Sequence, residues 1–185
     1  MNRDQLGRLI GSGFGLVFVE ANAGALPTGV AVPLRAVGVA VFLALVLLGR
    51  RRPQAAAESG GEPRGEPGGA SFGGRYWLVV VAEVVAIAVG LAVINKVLHT
   101  PQATVGWIAL VIGVHFFGLA VAWQRPALRL LGAGMAACGA LGMVLAFCGA
   151  PAAVVALVAG IVPGAMLFAS VWWSGRAVVA PGRTG

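Results

Sequence analysis

Residues 77–98 read WLVVVAEVVAIAVGLAVINKVL. As a helix this stretch would run about 33 Å, close to the hydrocarbon thickness of a bilayer. Glu83 and Lys96 are its only ionisable residues. A soluble helix of that length would show a polar face, and none is visible. The stretch therefore reads as a membrane span with one acid set deep inside it.

The rest of the chain repeats the pattern. Further apolar runs cover residues 9–26, 29–48, 104–122, 127–148 and 151–172. Short turns carrying Pro27, Pro101, Arg125-Pro126 and Pro151 separate them, and proline belongs at such boundaries. The expected fold is all-α, a polytopic membrane protein with six transmembrane helices in one bundle.

Composition agrees. Of 185 residues, 59% are hydrophobic, only 10% are charged, and the mean hydropathy is +0.92. Adding the 29 glycines brings the apolar share to about three quarters, against roughly half in soluble domains. A water-soluble globule of this size cannot hide that surface. A disordered chain and a disulfide scaffold fit no better. Cys138 and Cys148 would lie about 15 Å apart on one helix, too far for a disulfide. They read as small packing residues.

The net charge of +7 does not indicate nucleic acid, because its placement follows membrane topology. Arg3, Arg8, Arg50, Arg51, Arg52, Arg64, Arg75, Arg125, Arg129, Arg176 and Arg183 all fall on one side of a six-span bundle. The opposite loops, around Pro27, Pro101 and Pro151, carry no lysine or arginine. By the positive-inside rule both termini are cytoplasmic, in a multi-pass cell-membrane protein. A second reading of the start is a signal peptide, since Ala21-Asn22-Ala23 follows Arg3, Arg8 and an apolar stretch. Glu20 is unusual so close to a cleavage site, which favours an uncleaved first span.

Residues 49–75, GRRRPQAAAESGGEPRGEPGGASFGGR, lack apolar periodicity and read as a disordered cytoplasmic linker. Arg50-Arg51-Arg52 acts there as a topology anchor or touches lipid headgroups. In the fifth span, Gly132, Ala136 and Ala140 form one small-residue ridge and Gly134, Cys138 and Gly142 another. Such ridges let helices approach closely, either within the bundle or between two copies as a homo-oligomer. Gly11-Ser12-Gly13-Phe14-Gly15 would likewise permit close packing or a kink.

Polar residues in hydrocarbon are costly and usually face a bundle interior or a cavity. The chain has Glu20, Asn22, Arg35, Glu83, Asn95, Lys96 and His115. Glu20 and Arg35 would each lie roughly 9 Å below the outer surface on neighbouring spans, which predicts an ion pair. That pair either neutralises itself or serves a substrate, and Lys96 can snorkel to the surface. Glu83 and His115 would each lie about 10 Å from the inner surface, with no Lys or Arg in the layer. A carboxyl group without a cation in oil favours its neutral, proton-holding form, and a nearby imidazole can orient it or exchange its proton. Glu83 shares a face with Ile87, Gly90 and Ile94. The packing-only alternative is a hydrogen-bonded glutamate that fixes helix register.

His99 reads as a solvated turn residue. No HxxxH or CxxC spacing appears, so no metal and no cofactor is expected. Tyr76, Trp77, Trp123, Trp172 and Trp173 fall at cytoplasmic ends, as in an aromatic belt. Trp107, Phe116 and Phe117 lie deeper, where they could line a cavity with Asn22, Arg35 and Asn95 or pack as core.

An acid held neutral in an apolar setting can protonate an alkene. Aromatic faces can stabilise the resulting cation, and a dry pocket protects it. This is the logic of proton-initiated terpene cyclisation, with Glu83 as general acid, His115 as its proton partner and Glu20 as a second acid. The alternative is a small proton-coupled transporter using Glu83 and the Glu20–Arg35 layer. With Arg75-Tyr76-Trp77, His115-Phe116-Phe117-Gly118 and its Arg/Ala/Gly-heavy composition, the chain resembles small actinobacterial integral membrane proteins. Among these it is similar to the membrane-bound terpene cyclases of drimentine-type pathways. That resemblance implies a lipophilic prenylated indole diketopiperazine as substrate, with membrane lipids as surroundings.

Overall fold

The structure is a computed structural model that describes residues 3–51, 74–122 and 126–177. Those residues are almost entirely helical and contain no strand. The helices are α1 (Arg3–Ala23), α2 (Thr28–Arg51), α3 (Gly74–Ala92), α4 (Ala103–Ala122), α5 (Pro126–Phe147), α6 (Ala152–Ala156) and α7 (Val162–Ala177). One π turn, Val93–Val97, extends α3, and another, Leu157–Ile161, joins α6 to α7 without a break. Five helical stretches are long and apolar enough to cross a membrane: Thr28–Leu48, Val80–Val97, Ala103–Ala120, Ala127–Phe147 and Ala152–Ser174. In lipid, backbone groups must be satisfied within the chain, and helices achieve this alone.

Helix α1 is long enough at 21 residues but is not among the five. Arg8, Glu20, Asn22 and its glycines dilute its apolar content. It also ends earlier than the 9–26 run suggests. Ala25 and Leu26 donate to the carbonyls of Asn22 and Ala23 at 3.2 and 3.1 Å, forming a turn. The Pro27 carbonyl then accepts from Val30 and Ala31 and starts α2. At the other edges, α2 continues to Arg51 and α3 begins at Gly74. Of the 49–75 linker, residues 52–73 lie outside the described residues, as do Trp123 and Arg125.

The turns follow local chemistry. His99 takes φ 49° after the first π turn. It is exposed, which fits its reading as a solvated turn residue. Gly149 takes φ 75° after α5, its N–H donates to the Ala146 carbonyl and that of Ala150 to the Leu145 carbonyl. Glycine adopts that left-handed cap without a Cβ penalty.

The chain forms two compact units. In the first, α1 packs on α2 and on α7 beyond Gly164. Gly15 and Gly164 meet almost backbone to backbone: a Cβ on Gly15 would sit 3.1 Å from the Gly164 carbonyl. Gly11 faces Val171. The Gly11–Gly15 motif therefore serves packing. Ser12, fully buried, satisfies its hydroxyl on the Arg8 carbonyl at 2.7 Å.

In the second unit, α4 and α5 pack along a glycine seam. Gly106 lies against the Gly139 carbonyl and Met143, Gly113 against Ala136, and Gly132 against the Gly113 carbonyl. The Gly132–Ala136 ridge thus meets a helix of its own chain, and Gly139 rather than Ala140 completes it. Gly142 faces Ala159. Ile94, Ala103, Ala146 and Val155 form a buried cluster with Trp107 packed against it.

The second π turn lies just before Pro163. Proline has no N–H, and its ring crowds the carbonyl four residues back. One wide turn relieves that clash while the helix continues.

Candidate functional site

Helices α3 and α4 are joined by a short turn and pack side by side. Their shared face carries Glu83 from α3 and His115 from α4. The Glu83 Oε2 atom lies 2.8 Å from His115 Nδ1. Both side chains are mostly covered, with 20% and 17% of their surface exposed. The separation is that of an ion pair, yet Nδ1 has no aligned hydrogen bond, so Oε2 sits off the ring's N–H axis. Hydrogen bonding between them requires the two groups to be aligned. A proton could then pass between carboxyl and imidazole over less than about 3 Å, within ordinary hydrogen-bond reach.

The pair predicted from depth alone is therefore brought together. The Phe116 ring stands edge-on to His115, with centroids 6.4 Å apart at 72°. Phe117, one residue on, is exposed. The His115-Phe116-Phe117 run thus splits, with one ring beside the imidazole and the next turned away.

Two turns along the same seam, Trp107 crosses from α4 to α3. Its Nε1–H donates to the Ala86 carbonyl at 3.2 Å. Its indole occupies the notch that Gly90 leaves, where even a methyl group would overlap it. Nearer the end of α3, the Asn95 amide donates to the Leu91 carbonyl at 2.9 Å and to Thr104 Oγ1 at 3.2 Å. The donors of Trp107 and Asn95 are thus engaged within the chain. Lys96 is exposed. The roles of Ala86, Gly90 and Thr104 are not evident from residue type. The one sequence signal was that Gly90 shares the Glu83 face.

The first unit holds the other pair. Arg35 Nε lies 3.5 Å from Glu20 Oε2, and Arg35 Nη2 reaches the Glu20 carbonyl at 3.5 Å. The side chains are 46% and 35% exposed. Glu20 Oε1 is buried without a hydrogen bond. Asn22 is buried and donates to the Phe18 carbonyl at 2.8 Å. The expected Glu20–Arg35 ion pair forms, loosely. Removing one partner of such a pair leaves a charge behind, whereas removing both does not. Arg35→Leu should lower the unfolding temperature in detergent more than the double variant Glu20→Gln/Arg35→Leu does. Equal or larger loss in the double variant would show that the pair contributes nothing as a pair.

Among the described residues no three His, Cys, Asp or Glu side chains are grouped to hold a metal ion. Comparison with family models, curated proteins and solved structures finds no match for this chain.

Proposed function

We propose that this is a membrane-embedded enzyme that protonates and cyclises an isoprenoid chain on a lipophilic substrate, with Glu83 as general acid and His115 as its proton partner. The observation that carries this reading is the Glu83–His115 contact of 2.8 Å, mostly covered, on two helices apolar enough to span a bilayer. An acid in oil is costly unless it is paired or used. Pairing with an imidazole, a group that can both accept and donate a proton, suits use.

The chemistry balances without an added reagent. The Glu83 carboxyl gives its proton to a terminal alkene, and a tertiary carbocation forms. A neighbouring alkene donates its electron pair to that cation, closing a carbon–carbon ring. His115 takes the proton that a carbon next to the final cation loses and passes it to the Glu83 carboxylate, which restores the acid. Substrate and product are isomers, and no metal or nucleotide takes part. In this reading Phe116, whose ring stands beside His115, would stabilise the cation through its aromatic face.

The test is direct. Membranes containing the protein, incubated with prenylated indole diketopiperazines, should give a product of unchanged mass and new retention time. No isomer from any prenylated substrate would overturn the reading.

A transporter reading has one observation in its favour. The π turn Leu157–Ile161 widens a spanning helix in mid-course, and π turns inside helices are frequent at functional sites. Uptake into proteoliposomes driven by a pH gradient would support it over the enzyme.

The topology that goes with either reading counts α1 as a sixth span, with both termini cytoplasmic. Its polar residues have internal partners: Glu20 with Arg35, Asn22 with Phe18, Ser12 with Arg8. Reporter domains fused at each end should both be active only on the cytoplasmic side. Reporters on opposite sides would remove α1, or another helix, from the count of crossings.

A further inference from the structure

We infer that Trp107 is a positioning residue for the Glu83–His115 pair, acting through the notch at Gly90 and the carbonyl of Ala86. The inference rests on the proposed function only in taking that pair as the working site.

The argument begins with what holds two apolar helices in register. Lipid-facing aliphatic surfaces slide past each other at little cost, because lipid tails are as apolar as leucine. Register therefore comes from small-residue notches and from polar contacts. The α3–α4 seam has both at one place. The Trp107 indole fills the space where Gly90 lacks a side chain, and its N–H is spent on the Ala86 carbonyl at 3.2 Å. Indole N–H groups have one donor and no acceptor, so the link has a direction as well as a place.

The spacing joins this link to the pair. Glu83 and Gly90 are seven residues apart on α3, and Trp107 and His115 are eight apart on α4. On helices that is about 10 and about 12 Å, so both contacts fit two antiparallel helices in one register. A slip of one residue would shift α4 by about 1.5 Å along its axis and turn it by about 100°. His115 would then leave Glu83. The carboxyl and imidazole meet at 2.8 Å without an aligned hydrogen bond, so their contact fixes register less firmly than a directional bond would. Trp107 supplies the rigid, flat and directional contact that the pair does not.

The experiment needs no turnover. The chain has two histidines, His99 and His115, so ¹⁵N-histidine labelling in lipid bilayers gives two imidazoles, and His99→Gln assigns them. Glu83→Gln should move the His115 Nδ1 resonance. Trp107→Phe, which keeps a ring and removes the N–H, should move it in the same direction by at least half as far. Gly90→Ala, which fills the notch, should do the same and keeps the test open if Trp107→Phe folds poorly. A tryptophan that only stabilises the bundle would lower the unfolding temperature and leave Nδ1 in place. An unmoved His115 signal in folded Trp107→Phe or Gly90→Ala protein overturns the inference. An unmoved signal in Glu83→Gln overturns it too, since there would be no pair to position. Product formation is read separately: normal turnover by Glu83→Gln would end the catalytic reading and leave the register lock standing.

Discussion

Glu83→Gln should reduce isomer formation by roughly 10²- to 10⁴-fold, the usual contribution of a positioned general acid, while the protein reaches the membrane at its normal level. Glutamine matches the size of glutamate and keeps a polar amide beside the His115 ring, so the helices keep their packing. What it cannot do is release a proton. His115→Phe should cost less. It removes the return path for the proton but leaves the acid in place, so a first protonation remains available. That ordering separates acid catalysis from packing. If Glu83 only fixed register, the isosteric glutamine would be nearly silent, and His115→Phe, which breaks the contact, would be the more damaging change. The measurement is initial rate per mole of membrane protein on a prenylated substrate, with each variant quantified by immunoblot. Wild-type-like turnover by Glu83→Gln would remove this residue from the chemistry.

Gly139→Val should be the most destabilising single change in the second unit, costing about 3 kcal/mol or more through overpacking that cannot relax. A Cβ there would overlap the Leu110 backbone nitrogen and press on the Gly106 carbonyl. Both are main-chain atoms of α4, and main chain cannot rotate away as a flexible side chain can. The helices would have to separate along the whole seam from Gly106 to Gly132. Gly118→Val, on the same helix α4 with nothing near its Cβ position, should be close to neutral. Unfolding in detergent, followed by circular dichroism, would compare the two. Similar midpoints would mean that the glycine seam does not hold α4 to α5.

The Gly139 case shows how far composition carries. That the fifth helix has small-residue ridges is visible in the sequence, and so is their purpose of close approach. The choice of ridge is not, because it depends on which neighbour arrives and at what crossing angle. Ala140 was expected to continue the ridge, and Gly139 takes its place because the contact follows i, i+4, i+3 spacing around the α4 axis. The π turn at Leu157–Ile161 precedes Pro163, yet Pro33 leaves α2 helical and the π turn Val93–Val97 contains no proline, so residue type alone does not place these turns.

The polar residues divide in the same way. The pairing of Glu20 with Arg35 follows from a short turn and equal depth, and both are sequence properties. The meeting of Glu83 and His115 also follows from depth, but only because α3 and α4 pack face to face, which helix lengths alone do not require. The sequence by itself determined that this chain has several helices apolar and long enough to cross a bilayer, roughly where they run, and which few ionisable residues they carry. It could do so because transfer of side chains from water to lipid is a property of composition and order. The tertiary structure alone decided which of those residues touch, and that an indole fills the glycine notch on the same seam. Contacts of that kind depend on angle and rotation between helices, which no single helix encodes.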